Sequence, residues 1–268
     1  MPESTFRIKG SHVVVTGASR GVGAAIAREL VARGARTTMI ARSQGPLESL
    51  AAQLGARPVV ADLADREVVD GLIRTIERES GPVDVLINNA AVAHVGLLAG
   101  SSNADIADTI NVNLSAPIVL SNQVLPGMLD RGTGRIVNIS SLAALVAIPS
   151  FSVYGATKAG LAQFTATVQR ELRPSTVRMT LVYLGEVADT GIWTESLKVP
   201  IVAATRQRFD RVKALPTLTP AQAATGIIRA VQLGTATAIL PRRLAPLYHL
   251  REIPSRLNDL LMAGVTDG

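Results

Sequence analysis

The chain has 268 residues and a mass of 28.1 kDa, with 47% hydrophobic and 18% charged residues. That composition excludes intrinsic disorder and suffices for one α/β domain with a large core. The absence of cysteine excludes disulfides, thiolate metal sites and a cysteine nucleophile, while a net charge of +6 puts nucleic acid and anionic membranes forward as partners to be weighed.

The first residues, Met1–Arg7, carry no apolar signal core. No stretch approaches the roughly 18 apolar residues that span a bilayer. A soluble, cytoplasmic protein is expected. The first strand is predicted at His12–Thr16 and leads into the turn Thr16-Gly17-Ala18-Ser19-Arg20-Gly21-Val22-Gly23. Helical spacing follows over Gly23–Arg33, with Ile26, Leu30 and Val31 on one stripe. A strand-to-helix turn of this kind aims backbone N–H groups and a helix N-terminus at one point, which favours a phosphate. Gly17 allows the sharp turn, Gly21 allows backbone to approach a pyrophosphate, and Gly23 allows close helix packing. A purely structural turn remains the alternative for this segment alone.

The second strand is predicted at Arg36–Ile40. A dinucleotide fold often ends this strand with an acid that holds the adenine-ribose hydroxyl. Here the acid is missing, and Arg42 and Ser43 follow at once. Arg20, Arg42 and a hydroxyl suit a ribose 2′-phosphate, so NADP(H) is expected over NAD(H). Solvated surface arginines are the competing reading. A third strand at Pro58–Ala61 precedes Asp62 and Leu63, and a helix over Glu67–Glu79 repeats Val68, Leu72, Ile73 and Ile76.

The fourth strand, Val83–Asn88, runs into Asn89-Ala90-Ala91. One long helix is predicted over Asn103–Leu129 and contains Asn113. Strand Gly134–Ser140 ends beside Ser141, and a helix over Tyr154–Arg173 opens with Tyr154-Gly155-Ala156-Thr157-Lys158. A tyrosine four residues before a lysine shares its helix face. A nearby ammonium would lower the phenol's pKa and make it a usable acid or base, and a serine opposite could bond the reacting oxygen. A lone Tyr-x-x-x-Lys also describes an amphipathic helix with a packed tyrosine and a snorkelling lysine.

A sixth strand is predicted at Val177–Tyr183, and residues 186–217 break the pattern as a loop-and-helix excursion. Helix Pro220–Leu233, with Thr219 as N-cap, and strand Thr237–Leu240 complete the order. The strand–helix alternation means βαβ units and a Rossmann-like, doubly wound parallel α/β sheet with helices on both faces, in a single domain over residues 1–268 with its core at about 8–190. From Ile201 onward there are nine basic and four acidic residues, so this part carries +5 of the +6. The basic segment 241–268 could rest on a membrane or a partner, and a solvated face is the plainer reading. Aromatics at 3% and the lack of a binding motif exclude nucleic acid.

Taken together, Thr16-Gly17-x-x-x-Gly21-x-Gly23, Asn88-Asn89-Ala90, Asn113, Ser141 and Tyr154-x-x-x-Lys158 resemble the short-chain dehydrogenase/reductase family. The resemblance covers about residues 10–190, and Ser141 lies thirteen residues before Tyr154, the family's usual separation. It implies an enzyme interconverting a carbonyl and an alcohol. Tyr154 would be the general acid/base, and Lys158 would lower its pKa and bind the nicotinamide ribose. Ser141 would orient the substrate oxygen, and Asn113 would sit at a helix kink and hold a water. The implied cofactor residues are Gly17, Ser19, Arg20, Gly21, Val22, Gly23, Arg42, Asp62, Leu63, Asn89, Ala90, Ala91, Tyr154, Lys158, Gly185, Val187 and Thr190.

Two departures stand out. Ala91 replaces the family's usual glycine, and Leu184 its usual proline before Gly185. Substrate-side candidates are His94, Val95, Leu97, Leu142, Ala144, Leu145, Ile148, Phe151 and Trp193, mostly apolar, which points to a hydrophobic substrate. Some of them are equally readable as core. No metal site is expected. The family's habit of pairing its long helices implies a homodimer or homotetramer. The competing function is a catalytically silent NADP-binding regulator.

Overall fold

Seven short aliphatic runs form one parallel sheet: β1 (His12–Thr16), β2 (Arg36–Ala41), β3 (Arg57–Val60), β4 (Val85–Asn88), β5 (Arg135–Ser141), β6 (Arg178–Leu184) and β7 (Thr237–Leu240). The computed structural model describes residues 5–188, 199, 202–203, 207 and 217–245. The strand order is β3-β2-β1-β4-β5-β6-β7, with every neighbouring pair parallel. Central strands are buried along their whole length, as in β1 and β4, because helices cover both faces. This is a doubly wound, Rossmann-like single domain.

Alternate residues of each strand feed two cores. Val13 and Val15 of β1 pack with Ile26 and Leu30 of α1 (Gly21–Ala32), Leu47 and Leu50 of α2 (Gln44–Leu54), and Ile227 and Val231 of α8 (Pro220–Leu233). On the opposite face Val14, Leu86 and Ile136 meet the helices that return from β3, β4 and β5. These are α3 (Arg66–Val69), α4 (Leu72–Ser80), α5 (Asn103–Ile110), α6 (Ala116–Asp130) and α7 (Ser152–Glu171). Leu120 and Val124 of α6 and Val168 of α7 supply that second core.

The helices differ from the sequence reading in three places. Gln44–Leu54, for which the sequence reading named no element, is helical, since proline is tolerated in a first helical turn and Leu47, Leu50 and Ala51 find the core. The helix expected over Glu67–Glu79 is two helices. Asp65 caps the first by accepting from the Glu67 and Val68 N–H groups, and Gly71, at φ +76, breaks the chain before the second. The single helix expected over Asn103–Leu129 is α5 and α6 joined by a π-turn at Asn111–Ser115. Pro117 accounts for the switch, because it has no N–H to return to the Asn113 carbonyl four residues earlier.

Because all strands run one way, their carboxyl ends share one edge. Sequential order reverses between β1 and β4, so their following loops diverge there and leave a crevice. Thr219 caps α8 in a reciprocal box with Gln222, which fixes that helix behind β6 and β7. Among the described residues no helix is long and apolar enough to cross a membrane. The excursion expected at 186–217 lies largely outside the described residues, as does the basic tail after Ala245.

Candidate active site

The glycine turn is built by close backbone approach. Gly17 is left-handed at φ +66, and a Cβ there would stand 2.8 Å from the Ala90 Cα. A Cβ on Gly23 would stand 2.1 Å from the Gly17 carbonyl oxygen, so the start of α1 can lie against the turn only without a side chain. Asn89 crosses from the end of β4 to hold this turn, its Nδ2 donating to the Thr16 carbonyl at 2.9 Å. Thr16 Oγ1 in turn accepts from the Asn89 and Ala90 N–H groups, both at 3.0 Å. The role of Thr16 was not anticipated. Its signal is a hydroxyl ending an otherwise aliphatic strand.

Arg20 occupies the N-cap of α1 in extended conformation and gives it no side-chain cap. The first turn of α1 contains no acid, so its N–H groups and dipole face the crevice uncompensated. The Ala18 N–H donates to the Ile40 carbonyl at 3.1 Å, and the Ala61 N–H to the Ala41 carbonyl at 3.1 Å. These bonds bring Ser19–Arg20, Arg42–Ser43 and Asp62 to one corner. Arg20 and Arg42 are exposed, and neither guanidinium has a hydrogen-bond or ion-pair partner among the described residues. Asp62 is exposed, with one oxygen accepting from the Ala64 N–H at 3.0 Å.

Three predicted cofactor residues turn their side chains inward. Val22 and Val187 join the core beneath α1 and α8, and Leu63 joins the core on the opposite face, which leaves only their backbone for a ligand. Gly185 N–H donates to the Leu240 carbonyl at 2.7 Å, fixing the end of β6 against β7. Val187 forms an isolated bridge with Leu218. Thr190 and Trp193 lie outside the described residues.

Ser141, Tyr154, Lys158 and Asn113 converge beside this corner. Ser141 ends β5, and Tyr154 and Lys158 lie one turn apart near the start of α7. Ser141 lies close enough to the Tyr154 phenol to act on it as a hydrogen-bonding neighbour. Phe151 packs edge-to-face on the Tyr154 ring, with centroids 5.9 Å apart. Tyr154 is half-buried as a residue, but burial of its hydroxyl pushes the phenol above its ordinary value, and the Ser141 bond pulls it partly back. The lowering that Lys158 was expected to supply is not among these causes. Lys158 is 2% exposed and donates from Nζ to the Ile139 carbonyl at 2.9 Å. Burial lowers its ammonium to about 8.

Asn113 is fully buried in the π-turn, where a kink was expected. Its carboxamide is committed: Oδ1 accepts from the Val92 N–H at 2.9 Å, and Nδ2 donates to the Val92 carbonyl at 2.8 Å and to Thr157 Oγ1 at 3.3 Å. Ser140, the structural neighbour of Ser141, donates from Oγ to the Lys158 carbonyl at 2.9 Å and anchors α7 to β5.

The substrate side is formed by the loop after β4 and the loop before α7. His94 and Leu97 are exposed, and Val95, Leu142, Ala144, Leu145 and Ile148 are half-buried. Leu142, Ala144 and Leu145 also pack on a small third core with Tyr183 and Ile239, so they serve both readings. His94 is held by Asp105 and Asp108 of α5, a pairing that sequence reasoning missed.

Comparison with known proteins agrees with this geometry. A family model described as short chain dehydrogenase matches residues 11–199. A ketoacyl reductase from a Nostoc species is 34% identical over 238 residues, covering 87% of this chain and 79% of the relative. A fatty acyl-CoA reductase from Mycobacterium tuberculosis is 33% identical over 247 residues, covering 89% of this chain and 77% of the relative. A solved short-chain dehydrogenase from Streptomyces avermitilis superposes with a TM-score of 0.78 at 28% identity, covering 96% of this chain and 98% of that one.

Proposed function

The chain belongs to the short-chain dehydrogenase/reductase family and is an oxidoreductase, and from that premise we propose that it interconverts a carbonyl and an alcohol on an apolar substrate with NADP(H). The observation that carries this reading is the convergence of Ser141 and Tyr154 at the carboxyl edge of the sheet, with buried Lys158 one turn behind.

The residues fit a phosphorylated dinucleotide. The cradle of Gly17 and Gly23 would be filled by any Cβ, and the uncapped N-terminus of α1 suits a pyrophosphate. Arg20 and Arg42 offer guanidinium groups without a partner among the described residues, at the corner where a ribose 2′-phosphate would lie. Asp62, with Asn89, Ala90 and Ala91, would border the adenosine half; Lys158 and Gly185 would border the nicotinamide half. Hydride donation and acceptance is the chemistry that the nicotinamide supplies when bound.

In reduction, Tyr154 gives its phenolic proton to the substrate oxygen. Its raised pKa keeps that proton in place through the neutral range. Ser141 donates to the same oxygen and holds it at the phenol. Lys158, with its ammonium at about 8, can exchange a proton near neutrality and stands as the next group inward. In oxidation the same residues run in reverse, and Tyr154 must first lose its proton.

Apolar Leu97, Leu145, Ile148 and Phe151 support a hydrophobic substrate, as do the acyl-reductase names of the two curated relatives. The reading includes a homo-oligomer, since Ile110, Val119 and Leu129 of α5 and α6 expose large apolar side chains that such pairing would cover. Cytoplasmic residence belongs to the same reading. The test is turnover of a panel of aliphatic ketones, 3-ketoacyl thioesters and secondary alcohols with NADP(H) against NAD(H). Turnover favouring NADP(H) is expected; binding of NADPH without turnover on any class would instead favour a silent regulator.

A further inference from the structure

The loop after β4 is tied down at three places. Val92 is bonded through both its N–H and its carbonyl to the Asn113 carboxamide. Gly96 N–H donates to the Ser150 carbonyl at 3.1 Å, which joins this loop to the one that leads into Phe151 and Tyr154. Between these ties, His94 reaches α5 with both ring nitrogens. Its Nε2 lies 2.9 Å from Asp108 Oδ2 and its Nδ1 lies 3.1 Å from Asp105 Oδ1. The Asp108 contact is a hydrogen bond, and Asp105 flanks the other ring nitrogen. Asp105 is itself fixed, since it also pairs with Ser102, the N-cap of α5. The two carboxylates lie three residues apart on a helix, where they share a face.

What the clasp carries is apolar. Leu97 and Leu98 follow on a short 3-10 turn and are 52% and 59% exposed, the two most exposed large hydrophobic residues of this region. The two leucines form an adjacent apolar pair on a loop bonded through Gly96 to the segment that leads into Tyr154.

We propose that His94, held between Asp105 and Asp108, is a positioning residue that sets Leu97 and Leu98 as the wall against which the apolar part of the carbonyl substrate packs. The proposal rests on the reading of the site as a carbonyl reductase and adds the device that selects substrate length. His94 touches neither Tyr154 nor the glycine turn in this arrangement, so it acts on substrate fit rather than on the proton or hydride transfer.

The experiment uses the full chain with NADPH and a ladder of straight-chain methyl ketones of increasing length. In the unsubstituted protein, KM is expected to fall by roughly fourfold per added methylene until the wall is covered. His94→Ala and Asp108→Ala are expected to flatten that gradient, with kcat and NADPH affinity within about twofold of the unsubstituted protein, and the double variant to be no worse than either alone. Leu98→Ser is expected to flatten the gradient without loosening the loop. Hydrogen exchange of residues 93–98, which needs no substrate, should quicken in His94→Ala and Asp108→Ala alike, while α7 stays protected. A gradient that survives His94→Ala, or a loss confined to kcat, would overturn the proposal. If no ketone is turned over by the unsubstituted protein, the reading of the site falls, and loop exchange alone then judges the clasp: quickening in both variants supports it, and no change overturns it.

Discussion

Lys158 Nζ stands 5.8 Å from the centroid of the Tyr154 ring and spends a hydrogen bond on the Ile139 carbonyl. The two residues share a helix face, as their four-residue spacing requires, yet in this geometry the lysine's charge does not lower the phenol. Burial dominates both groups and moves them apart, the phenol up and the ammonium down to about 8. The pair is therefore set up with Tyr154 protonated and Lys158 able to titrate near neutrality.

The first prediction concerns stability. Lys158 has a folded value of about 8 against an ordinary 10.5, so between these values the unfolded chain binds more protons. Stability should then rise with pH from about 8 to about 10 and be flat below. Lys158→Met should abolish that rise and raise stability at pH 7 by an amount on the order of 3 kcal/mol, while removing activity. Chemical denaturation across pH checks it; a rise that persists in the variant would contradict the assignment.

Ser141 bears on both rate and pH profile. Ser141→Ala removes a donor to the substrate oxygen and should lower kcat by roughly a hundredfold. Because the Ser141 bond pulls the phenol down, its loss should also move the alkaline limb of alcohol oxidation to higher pH. A kcat deficit with an unmoved limb would mean that Ser141 acts without touching the phenol.

The proposed reading gives Arg20 and Arg42 the choice between the two dinucleotides. Each alanine substitution should weaken NADPH binding by roughly tenfold, the scale of one charge-assisted bond, and leave NADH binding almost unchanged. Isothermal titration with both dinucleotides is the check. Equal losses for both would assign the arginines to the pyrophosphate or to general surface charge.

Much of this was legible because it is local in the chain. The glycine spacing and Tyr154-x-x-x-Lys158 each span a single turn, and strand and helix periods differ sharply. The doubly wound sheet followed from their alternation. What was not legible depends on groups far apart in sequence. The Asn89 bond to Thr16, the double bond of Asn113 to Val92 and the clasp of His94 all cross between loops. The π-turn was missed for a different reason: the apolar pattern runs unbroken through Asn103–Leu129, and only the missing N–H of Pro117 marks the switch. Val22 and Leu63 sit at cofactor positions by motif, and that their side chains enter the core and leave only backbone for a ligand depends on packing the motif does not carry.

The central claim is that Tyr154 is the proton donor of an NADPH-dependent carbonyl reduction. It is tested most directly by following NADPH absorbance over the carbonyl panel in the unsubstituted protein and in Tyr154→Phe, with NADPH affinity measured in parallel. The account predicts consumption matched by alcohol formed in the first, and at least about a thousandfold less in the second, at unchanged NADPH affinity. Turnover that persists in Tyr154→Phe, or is missing from the unsubstituted protein while NADPH still binds, would contradict it.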